Sequence, residues 1–385
     1  MNGERDGPSP VRYGRSESNA RSTPLNLKVL VLPGDGIGPE VTREAVRVLG
    51  RVAALFGHHV QLEEGLIGAA AIQQSDLPLP ETTTKKALQA DAVLLGAVGL
   101  PEFDEAPPSQ RPEQGLLGLR QTLSVYANLR PVRSYAPLLG VSPLKERHVS
   151  GTDFVVVREL TGGLYYGTPR GLVDEKGESR AFNTMSYTRS EIERIATMAF
   201  ELAMGRRRRL TSVDKSNVLE TSQLWRRVVT GMAGSYPEIA LDHMLVDNCA
   251  MQLILNPQRF DVLLTPNLFG DILSDEAAML CGSIGMLASA SLGQRKASGI
   301  RAGLYEPVHG SAPDIRGQGR ANPLGAIGSV SALFEFGLGR RREAEAISHA
   351  IETVLEEGKG TSDLALRETL TTAQMGQAVC EAIHP

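Results

Sequence analysis

Residues 28–41 read KVLVLPGDGIGPEV, and this stretch decides the fold class. An aliphatic run from Lys28 to Leu32 ends at Pro33 and Gly34, and Pro39 suits the first turn of a following helix. Apolar residues then recur at helical spacing and give that helix one apolar face: Val41, Ala45, Val48, Val52 and Leu55. The stretch therefore predicts a strand, a tight turn and a helix.

The same order recurs along the chain. Apolar runs that we interpret as strands lie at Asp91–Leu95, Phe154–Val157, Ala240–Val246 and Asp261–Leu264. Buried strands that alternate with helices predict an α/β fold with a largely parallel sheet covered on both faces. The glycine-rich stretch from Leu164 to Asn183 breaks this order, and we interpret it as an extended hairpin or arm.

The composition excludes several classes of function. The chain has 385 residues, 42% hydrophobic and 22% charged, with a formal net charge of −4, so no basic field recruits nucleic acid or an anionic membrane. No apolar run approaches the roughly 18 residues of a membrane span. The three cysteines, Cys249, Cys281 and Cys380, have no paired spacing, which favours a reducing, cytoplasmic setting over disulfides or a zinc site.

Residues 1–26 differ in composition from the rest. They are rich in Gly, Ser, Pro, Arg and Asn and nearly free of large apolar residues, so we expect a disordered N-terminal tail. An organelle-targeting segment is the alternative, which Glu4, Asp6 and Glu17 disfavour.

Asp271 and Asp275 give the strongest local signal. Four residues apart on a helix that follows a strand, they share one face, and their repulsion would be relieved by a hard divalent cation. Asp247 follows the preceding predicted strand, so we expect the three carboxylates at adjacent strand ends as a magnesium or manganese site. The alternative is a solvated acidic face beside a helix start.

Cationic and proton-transfer candidates are less specific. Arg120, Arg130 and Arg158 occupy three separate contexts and would capture carboxylates if they converge; taken singly, each is equally a surface ion-pair partner. Lys215 and Tyr165 are candidates for proton transfer if their pKa values are tuned, and packing or surface positions otherwise.

Two motifs invite interpretations that we reject. The turn from Gly34 to Gly38 is not the Rossmann fingerprint, because its third glycine comes too early and Pro39 follows. The basic run from Arg206 to Arg209 has no interleaved aromatic residues, so we interpret it as a solvated helix end and not as a nucleic-acid site.

Eight ordered motifs together resemble one family, the isocitrate and isopropylmalate dehydrogenases, from about Leu27 to the C-terminus. The motifs are LPGDGIGPEV, RPEQGLLGLR, ANLRPV, VVRELTGGLYYG, TSVDKSNVLETSQLWR, VDNCAMQLIL, NLFGDILSDEAAML and YEPVHGSAPDIRGQGRANP. The resemblance implies two α/β domains that share a largely parallel sheet core and are not a Rossmann fold. Residues 27–125 plus 282–385 would form a discontinuous, cofactor-side domain, and residues 126–281 the second, with a dimerisation arm at about 160–185.

The resemblance also implies roles for the candidates. Arg120, Arg130 and Arg158 would bind substrate carboxylates, and Asp247, Asp271 and Asp275 would hold Mg²⁺ or Mn²⁺. Tyr165 and Lys215 would serve the acid and base steps of an oxidative decarboxylation. Such enzymes are homodimers, in which Lys215 and Asp247 would reach into the neighbouring subunit's site.

Two choices within the family follow from single positions. Asp314 and Ile315 stand where NADP-using relatives carry lysine and tyrosine; a carboxylate accepts from ribose hydroxyls and repels a 2′-phosphate, so we expect NAD. The cofactor positions implied with them are Glu306, His309, Gly310, Ser311, Ala312 and Asn322. The resemblance also implies that Leu116, Leu117 and Val218, with Glu113 alongside, would form an apolar pocket for the alkyl group of 3-isopropylmalate, where the third carboxylate of isocitrate would lie unpaired.

Two stretches depart from the family pattern: the loop from Leu100 to Pro108 and the glycine-rich helix from Leu324 to Val330. A paralogue acting on another 3-substituted malate, tartrate or malate is therefore the alternative. A non-catalytic, effector-binding subunit is a third hypothesis, which the presence of Lys215, Tyr165 and all three carboxylates disfavours.

Overall fold

The computed structural model describes residues 23–175, 177–296 and 299–385. The predicted tail therefore lies outside the described residues up to residue 22, and the first strand already begins at Asn26. Of the helices in the described part of the chain, none is long and apolar enough to cross a membrane.

The described residues form fourteen strands and twelve α-helices. The strands are β1 (Asn26–Gly34), β2 (His59–Glu64), β3 (Ala92–Ala97), β4 (Ala127–Arg133), β5 (Asp153–Glu159), β6 (Gly171–Glu175), β7 (Glu178–Phe182), β8 (Arg209–Asp214), β9 (Ala240–Leu245), β10 (Val262–Thr265), β11 (Ala288–Arg295), β12 (Arg301–Pro307), β13 (Lys359–Gly360) and β14 (Glu368–Thr369). The helices are α1 (Gly38–Phe56), α2 (Ala69–Ser75), α3 (Glu81–Gln89), α4 (Glu113–Thr122), α5 (Glu146–Val149), α6 (Arg189–Met204), α7 (Glu220–Met232), α8 (Val246–Leu255), α9 (Asn267–Ala278), α10 (Leu324–Ala332), α11 (Arg341–Glu356) and α12 (Thr372–Ala382).

Ten strands form one sheet in the order β2-β1-β3-β12-β11-β4-β5-β10-β8-β9. The pairs are parallel except β12–β11, β11–β4 and β4–β5, which are antiparallel and lie in the middle of the sheet. The prediction of a largely parallel α/β sheet is confirmed, and the strand order differs from the 3-2-1-4-5-6 order of a Rossmann fold.

The predicted domain division falls at the antiparallel pair β11–β4. Strands β1, β2, β3, β11 and β12 come from residues 27–125 and 282–385, and the other five come from residues 126–281. The sheet runs without a break across this boundary, because Ser291 of β11 pairs with Asn128 of β4. The two parts therefore share one continuous sheet.

Strand β1 explains why helices cover both faces. Val29 and Val31 belong to one buried apolar cluster with Val41 of α1, while Leu30 and Leu32 belong to a second cluster on the opposite face. Successive side chains of a strand point to opposite faces, so a continuous apolar run needs a cover on each.

The predicted arm contains a hairpin of its own. Strands β6 and β7 pair only with each other, antiparallel from Gly171–Phe182 to Glu175–Glu178. Leu172 in this hairpin is 71% exposed. One chain therefore leaves an apolar side chain of the hairpin in solvent.

Candidate active site

Asp271 and Asp275 lie on helix α9, which follows strand β10. Pro266 precedes the helix and Asn267 begins it. The four-residue spacing brings the two carboxylates to one helix face, where Arg130 lies 3.6 Å from Asp271 and 3.0 Å from Asp275. Their role as metal ligands stays a prediction.

Arg158, near the end of β5, reaches this helix. Its Nη1 donates to Asp271, and its Nε and Nη2 donate to the amide oxygen of Asn267 at 3.1 and 2.8 Å. Gly270 makes this possible, because a Cβ there would lie 2.7 Å from Cγ of Arg158. Burial lowers the pKa of Arg158 to about 10, so the guanidinium stays charged at neutral pH.

Arg130 comes from β4 and meets the same two carboxylates. Its Nη1 donates to Oγ of Ser274 at 2.6 Å and to Oδ1 of Asp275 at 3.0 Å, and Asp271 lies 3.6 Å from Nη2. Its Nε donates to Oδ1 of Asn128 at 2.8 Å. Burial lowers the pKa of Arg130, and the two aspartates oppose that effect.

Tyr165 completes this group from the short 3₁₀ turn Gly163–Tyr165. Its hydroxyl donates to Oδ2 of Asp271 at 2.7 Å, and the guanidinium of Arg158 lies 5.7 Å from its ring centre. Burial and the bond to Asp271 raise the pKa of Tyr165 to about 12, which keeps the hydroxyl protonated. We call Asp271, Asp275, Arg130, Arg158 and Tyr165 the aspartate–arginine centre.

Arg120, on the last turn of α4, is placed differently from the other two arginines. Its Nη2 donates to Oε1 of Glu306, at the end of β12, at 2.6 Å. Burial works against the charge, but the ion pair with Glu306 raises the pKa of Arg120. Its buried Nε has no hydrogen-bond partner among the described residues, so a donor is available to a ligand.

Lys215 and Asp247 form a pair of their own. Nζ of Lys215 donates to Oδ1 of Asp247, and this bond lowers the pKa of the fully exposed carboxyl. The two residues follow β8 and β9 at the far end of the sheet. We call them the lysine–aspartate pair.

The expectation of three carboxylates at adjacent strand ends is therefore wrong within one chain. Asp271 follows β10 and Asp247 follows β9, but β8 lies between those strands. Over the described residues, no group of three or more His, Cys, Asp or Glu side chains lies close enough to hold one ion. The sequence order of the strands did not reveal their spatial order.

The predicted cofactor residues from Glu306 to Ile315 lie at the end of strand β12 and in the segment that follows it. The buried Nε2 of His309 has no hydrogen-bond partner among the described residues. Asp314 lies exposed in the 3₁₀ turn Pro313–Ile315, and a Cβ at Gly310 would meet open space. Ala312 has a φ of 37°, in the left-handed region. The segment thus offers an exposed carboxylate and an unsatisfied imidazole nitrogen.

The N-terminal turn supports this segment. Ile37 N–H donates to the carbonyl of Ser311 at 2.8 Å, and a Cβ at Gly36 would lie 1.9 Å from that oxygen. The carboxylate of Asp35 accepts hydrogen bonds from the backbone N–H groups of Ala69, Ala70 and Gly99, so it binds the first residues of α2. The glycines therefore allow close packing against Ser311, a role that the motif alone did not reveal.

The side chain of Asn322 makes hydrogen bonds within the fold. Its amide donates to Oδ2 of Asp363 at 3.0 Å, and its Oδ1 accepts from Leu324 N–H. The side chain fixes the start of α10 and is only 7% exposed. Its role as a cofactor residue remains a prediction.

The residues predicted to form the alkyl pocket lie on two separate elements. Glu113, Leu116, Leu117 and Arg120 share one face of α4, and Leu116 packs at the edge of the second apolar cluster. Val218 lies on the loop before α7, three residues after Lys215, and is 61% exposed. One chain therefore builds the α4 side of the pocket and leaves Val218 in solvent.

Sequence reasoning missed the polar residues that hold the arginines. Asn128, Asn267 and Ser274 are buried and bond directly to Arg130 or Arg158. The signal for Asn128 was a polar residue inside an apolar strand, which needs a buried partner. The partner becomes visible only once the sheet order is known.

Arg206 and Arg207 of the basic run donate hydrogen bonds to other residues of the same chain. Arg206 bonds to Asp153 and Asp261, and Arg207 donates to the carbonyl of Asp153. Both sit between the end of α6 and the start of β8. The interpretation as a helix end is confirmed, with the added finding that this end is ion-paired.

Comparison with known proteins agrees with this arrangement. The family model described as isocitrate/isopropylmalate dehydrogenase matches residues 28–379. The 3-isopropylmalate dehydrogenase of Geobacillus kaustophilus is 56% identical over 88% of this chain and 90% of its own length. That of Aquifex aeolicus is 51% identical over 88% of this chain and 91% of its own.

Solved structures are similar along nearly the whole chain. Isocitrate dehydrogenase from Methylococcus capsulatus gives a TM-score of 0.82 at 36% identity, covering 93% of this chain and all of that one. A β-decarboxylating dehydrogenase from Thermococcus kodakarensis gives 0.76 at 36% identity, with 93% and 96% covered. The fold, the family model and the relatives agree, and the chain is an oxidoreductase that belongs to the isocitrate/isopropylmalate dehydrogenase family.

Proposed function

We propose that this chain oxidises and decarboxylates 3-isopropylmalate, with NAD as the hydride acceptor and Mg²⁺ or Mn²⁺ as the metal. The observation that carries the proposal is the aspartate–arginine centre, in which side chains from β4, β5, α9 and the turn Gly163–Tyr165 bring together two guanidiniums, two carboxylates and a protonated tyrosine. The names of the relatives at 51–56% identity favour this substrate.

The arginines suit a dianionic malate. The Nη groups of Arg130 and Arg158 point at Asp271 and Asp275, where a substrate carboxylate would compete for the same donors. Arg120, on α4, adds its unpartnered Nε. Guanidinium forks bind carboxylates through paired hydrogen bonds, which fixes the orientation of the acid.

The donor set of the centre fits a hard cation. Asp271 and Asp275 would hold it in one chain, with Asp247 supplied by a second copy. A bound divalent ion would acidify the substrate hydroxyl and stabilise the negative charge that develops on that oxygen. When these carboxylates turn to a cation, the guanidiniums they hold become available to the substrate.

Lys215 would accept the proton of the substrate hydroxyl as hydride leaves C2. Its Nζ is engaged with Asp247 in the isolated chain, and a neutral amine is needed to accept a proton. Carbon dioxide then leaves with cleavage of the C–C bond, whose electron pair passes to the enol oxygen. Tyr165 is protonated and adjacent to Asp271, so it is placed to protonate the enol carbon.

NAD is favoured by the segment after β12. His309 offers its unpartnered Nε2, and Asp314 offers an exposed carboxylate to ribose hydroxyls. Glu306, Gly310, Ser311, Ala312, Ile315 and Asn322 complete the proposed cofactor set. A 2′-phosphate would meet repulsion from Asp314, which disfavours NADP.

A homodimer with shared sites is part of the proposal. Met251, Ile254 and Leu255 on α8 and Ile272 on α9 are 46–59% exposed, and α8 packs beside α9. A contiguous apolar face of this kind is typical of a protein–protein interface. Dimerisation there would bring Lys215, Val218 and Asp247 toward a second chain's aspartate–arginine centre.

The test is NADH formation by purified protein with Mg²⁺ and NAD, comparing 3-isopropylmalate, isocitrate, tartrate and an aryl-substituted malate. The highest kcat/KM on 3-isopropylmalate is expected. A preference for another of these acids would replace the substrate and keep the chemistry, and the loop at 100–108 that departs from the family pattern would be the first place to look. Turnover of none of them would overturn the proposal.

A further inference from the structure

Two buried asparagines hold the two arginines of the aspartate–arginine centre by the same edge. Oδ1 of Asn128 accepts from Nε of Arg130 at 2.8 Å. Oδ1 of Asn267 accepts from Nε and Nη2 of Arg158 at 3.1 and 2.8 Å. Both asparagines are fully buried. In each case the contact leaves an Nη group directed at the carboxylates of α9.

The orientation of each amide is fixed from its other end. Nδ2 of Asn128 donates to Oγ of Ser291 at 3.0 Å, and Nδ2 of Asn267 donates to the carbonyls of Leu160 and Gly162 at 3.2 and 3.0 Å. A flipped amide would place its NH₂ group against a guanidinium N–H. Both groups are hydrogen-bond donors, so no hydrogen bond could form between them. The oxygens are therefore held toward the arginines.

Sheet register explains the arrangement around Asn128. Asn128 of β4 pairs with Ser291 of β11 on one side and with Arg158 of β5 on the other. Side chains at paired positions share a face, so Asn128 stands between its anchor and the arginines. Arg130, two residues further along β4, is on that face as well.

Arg120 provides the contrast. It is held by the carboxylate of Glu306, which offsets its charge, and its Nε has no partner in the described part of the chain. An amide oxygen accepts a hydrogen bond without supplying a negative charge. The amide oxygens of Asn128 and Asn267 therefore orient Arg130 and Arg158 without placing a further negative charge beside them.

We propose that Asn128 and Asn267 are positioning residues that aim Arg130 and Arg158 at the substrate carboxylates and preserve their positive charge. The inference rests on the proposed function, in which these arginines bind the acid. It predicts that the neutral amide matters as well as the hydrogen bond. An aspartate in its place would keep the bond and weaken the attraction for a dianion.

Asn128→Asp is the sharpest variant, because both hydrogen bonds can survive it. Arg130 Nε still donates to the carboxylate, and the Ser291 hydroxyl can turn to donate to it. We expect the KM for 3-isopropylmalate to rise on the order of tenfold, because the added negative charge beside Arg130 weakens its attraction for the dianion. The KM for NAD should change less than about twofold, since neither arginine belongs to the proposed cofactor set.

Asn256→Asp is the matched control, because it adds the same charge at an exposed position. Thermal unfolding and NAD binding report whether each variant folds. If Asn128→Asp does not fold, Ser291→Ala serves instead, since it removes only the bond that fixes the Asn128 amide. A severalfold rise in substrate KM is expected for that variant.

A double-substitution cycle with Arg130→Lys tests whether Asn128 acts through Arg130. Lysine keeps the charge but has no Nε donor, so the effects of Asn128→Asp and Arg130→Lys on KM should be non-additive. Additive effects, or a folded Asn128→Asp variant with unchanged substrate KM, would overturn the positioning role.

Calorimetric binding of 3-isopropylmalate with Mg²⁺ separates the two proposals. A wild type that binds and turns over the acid, with an unchanged Kd in Asn128→Asp, would overturn the positioning role alone. A wild type that binds without turnover would overturn the function, and the Kd ratio would still decide the positioning. A wild type that does neither would overturn both.

Discussion

The aspartate–arginine centre and the lysine–aspartate pair differ in how completely one chain builds them. In the centre, Arg130 and Arg158 are buried and held by asparagines and aspartates from three elements. In the pair, Lys215 meets a carboxylate that is itself exposed, and β8 separates Asp247 from the strand that leads to Asp271.

Under the proposed function, this difference assigns the acid-binding arginines and two of the three metal carboxylates to one chain. Lys215 and Asp247, the proposed base and third carboxylate, bond to each other instead. That contact contributes little to stability, because exposed ion pairs are weak. A second copy, docked on the apolar face of α8 and α9, would have little to overcome in redirecting them.

The largest expected effect is loss of the base. Lys215→Ala should lower kcat about 10²- to 10⁴-fold, the usual contribution of a positioned general base. Steady-state NADH formation measures it. Arg208→Gln is the matched control, since Arg208 forms only an exposed pair with Glu238 and its substitution should leave kcat unchanged.

Mixed dimers test directly whether the lysine–aspartate pair of one chain and the aspartate–arginine centre of another form a shared site. Co-expression of Lys215→Ala chains with Asp271→Asn chains should restore about a quarter of wild-type activity, because half of randomly formed dimers contain one intact shared site. Each variant alone should be nearly inactive. Activity no higher than that of the separate variants would mean that the two regions do not form a shared site.

The Mg²⁺ requirement of turnover should depend on the carboxylates of the aspartate–arginine centre. Asp271→Asn is expected to raise the Mg²⁺ concentration for half-maximal rate at least about tenfold, because a charged hard ligand is lost. Chelation should abolish wild-type turnover, and added Mg²⁺ or Mn²⁺ should restore it. Asp76→Asn, at a left-handed position that asparagine tolerates, is the control and should leave the Mg²⁺ requirement unchanged.

Tyr165→Phe should have an intermediate effect, on the order of 10- to 100-fold in kcat. The pKa of Tyr165 is raised to about 12 by burial and by Asp271, so its proton is retained as the pH rises and is lost only as the pH approaches that value. Between pH 6 and 10 the variant should be slower than wild type by a constant factor. A factor that disappears above pH 8 would argue against a protonated Tyr165 as the acid.

The smallest expected effect concerns the alkyl pocket. Leu116→Ala should reduce the ratio of kcat/KM for 3-isopropylmalate over malate by about tenfold, within the range for a few methylenes in an apolar pocket. Leu88→Ala, an exposed leucine on α3, is the control. An unchanged ratio would move the selectivity to Val218 or to the loop after β3.

Much of this arrangement was predictable from the sequence. The alternation of apolar runs with helical periodicity predicted the α/β sheet, since period and burial are local properties of the chain. The four-residue spacing of Asp271 and Asp275 fixed their common face in the same way. The arm was recognisable because glycines interrupt an otherwise regular pattern at 164–183.

Other features needed the fold. Whether Arg120, Arg130 and Arg158 converge depends on the order of strands, which sequence separation does not encode. The tertiary structure brings two of them onto α9 and leaves the third with Glu306. It also separates Asp247 from Asp271 by inserting β8, where the sequence had suggested neighbours.

By itself, the sequence determined the fold class, the family motifs and the types of residue available for chemistry. Those follow from patterns within one element, where neighbours along the chain are neighbours in space. Only the folded chain brings Asn128 against Ser291 and places the N–H of Ile37, next to Gly36, on the carbonyl of Ser311. Such contacts join residues more than 160 positions apart or strands from opposite ends of the chain, so only the completed sheet sets their distance.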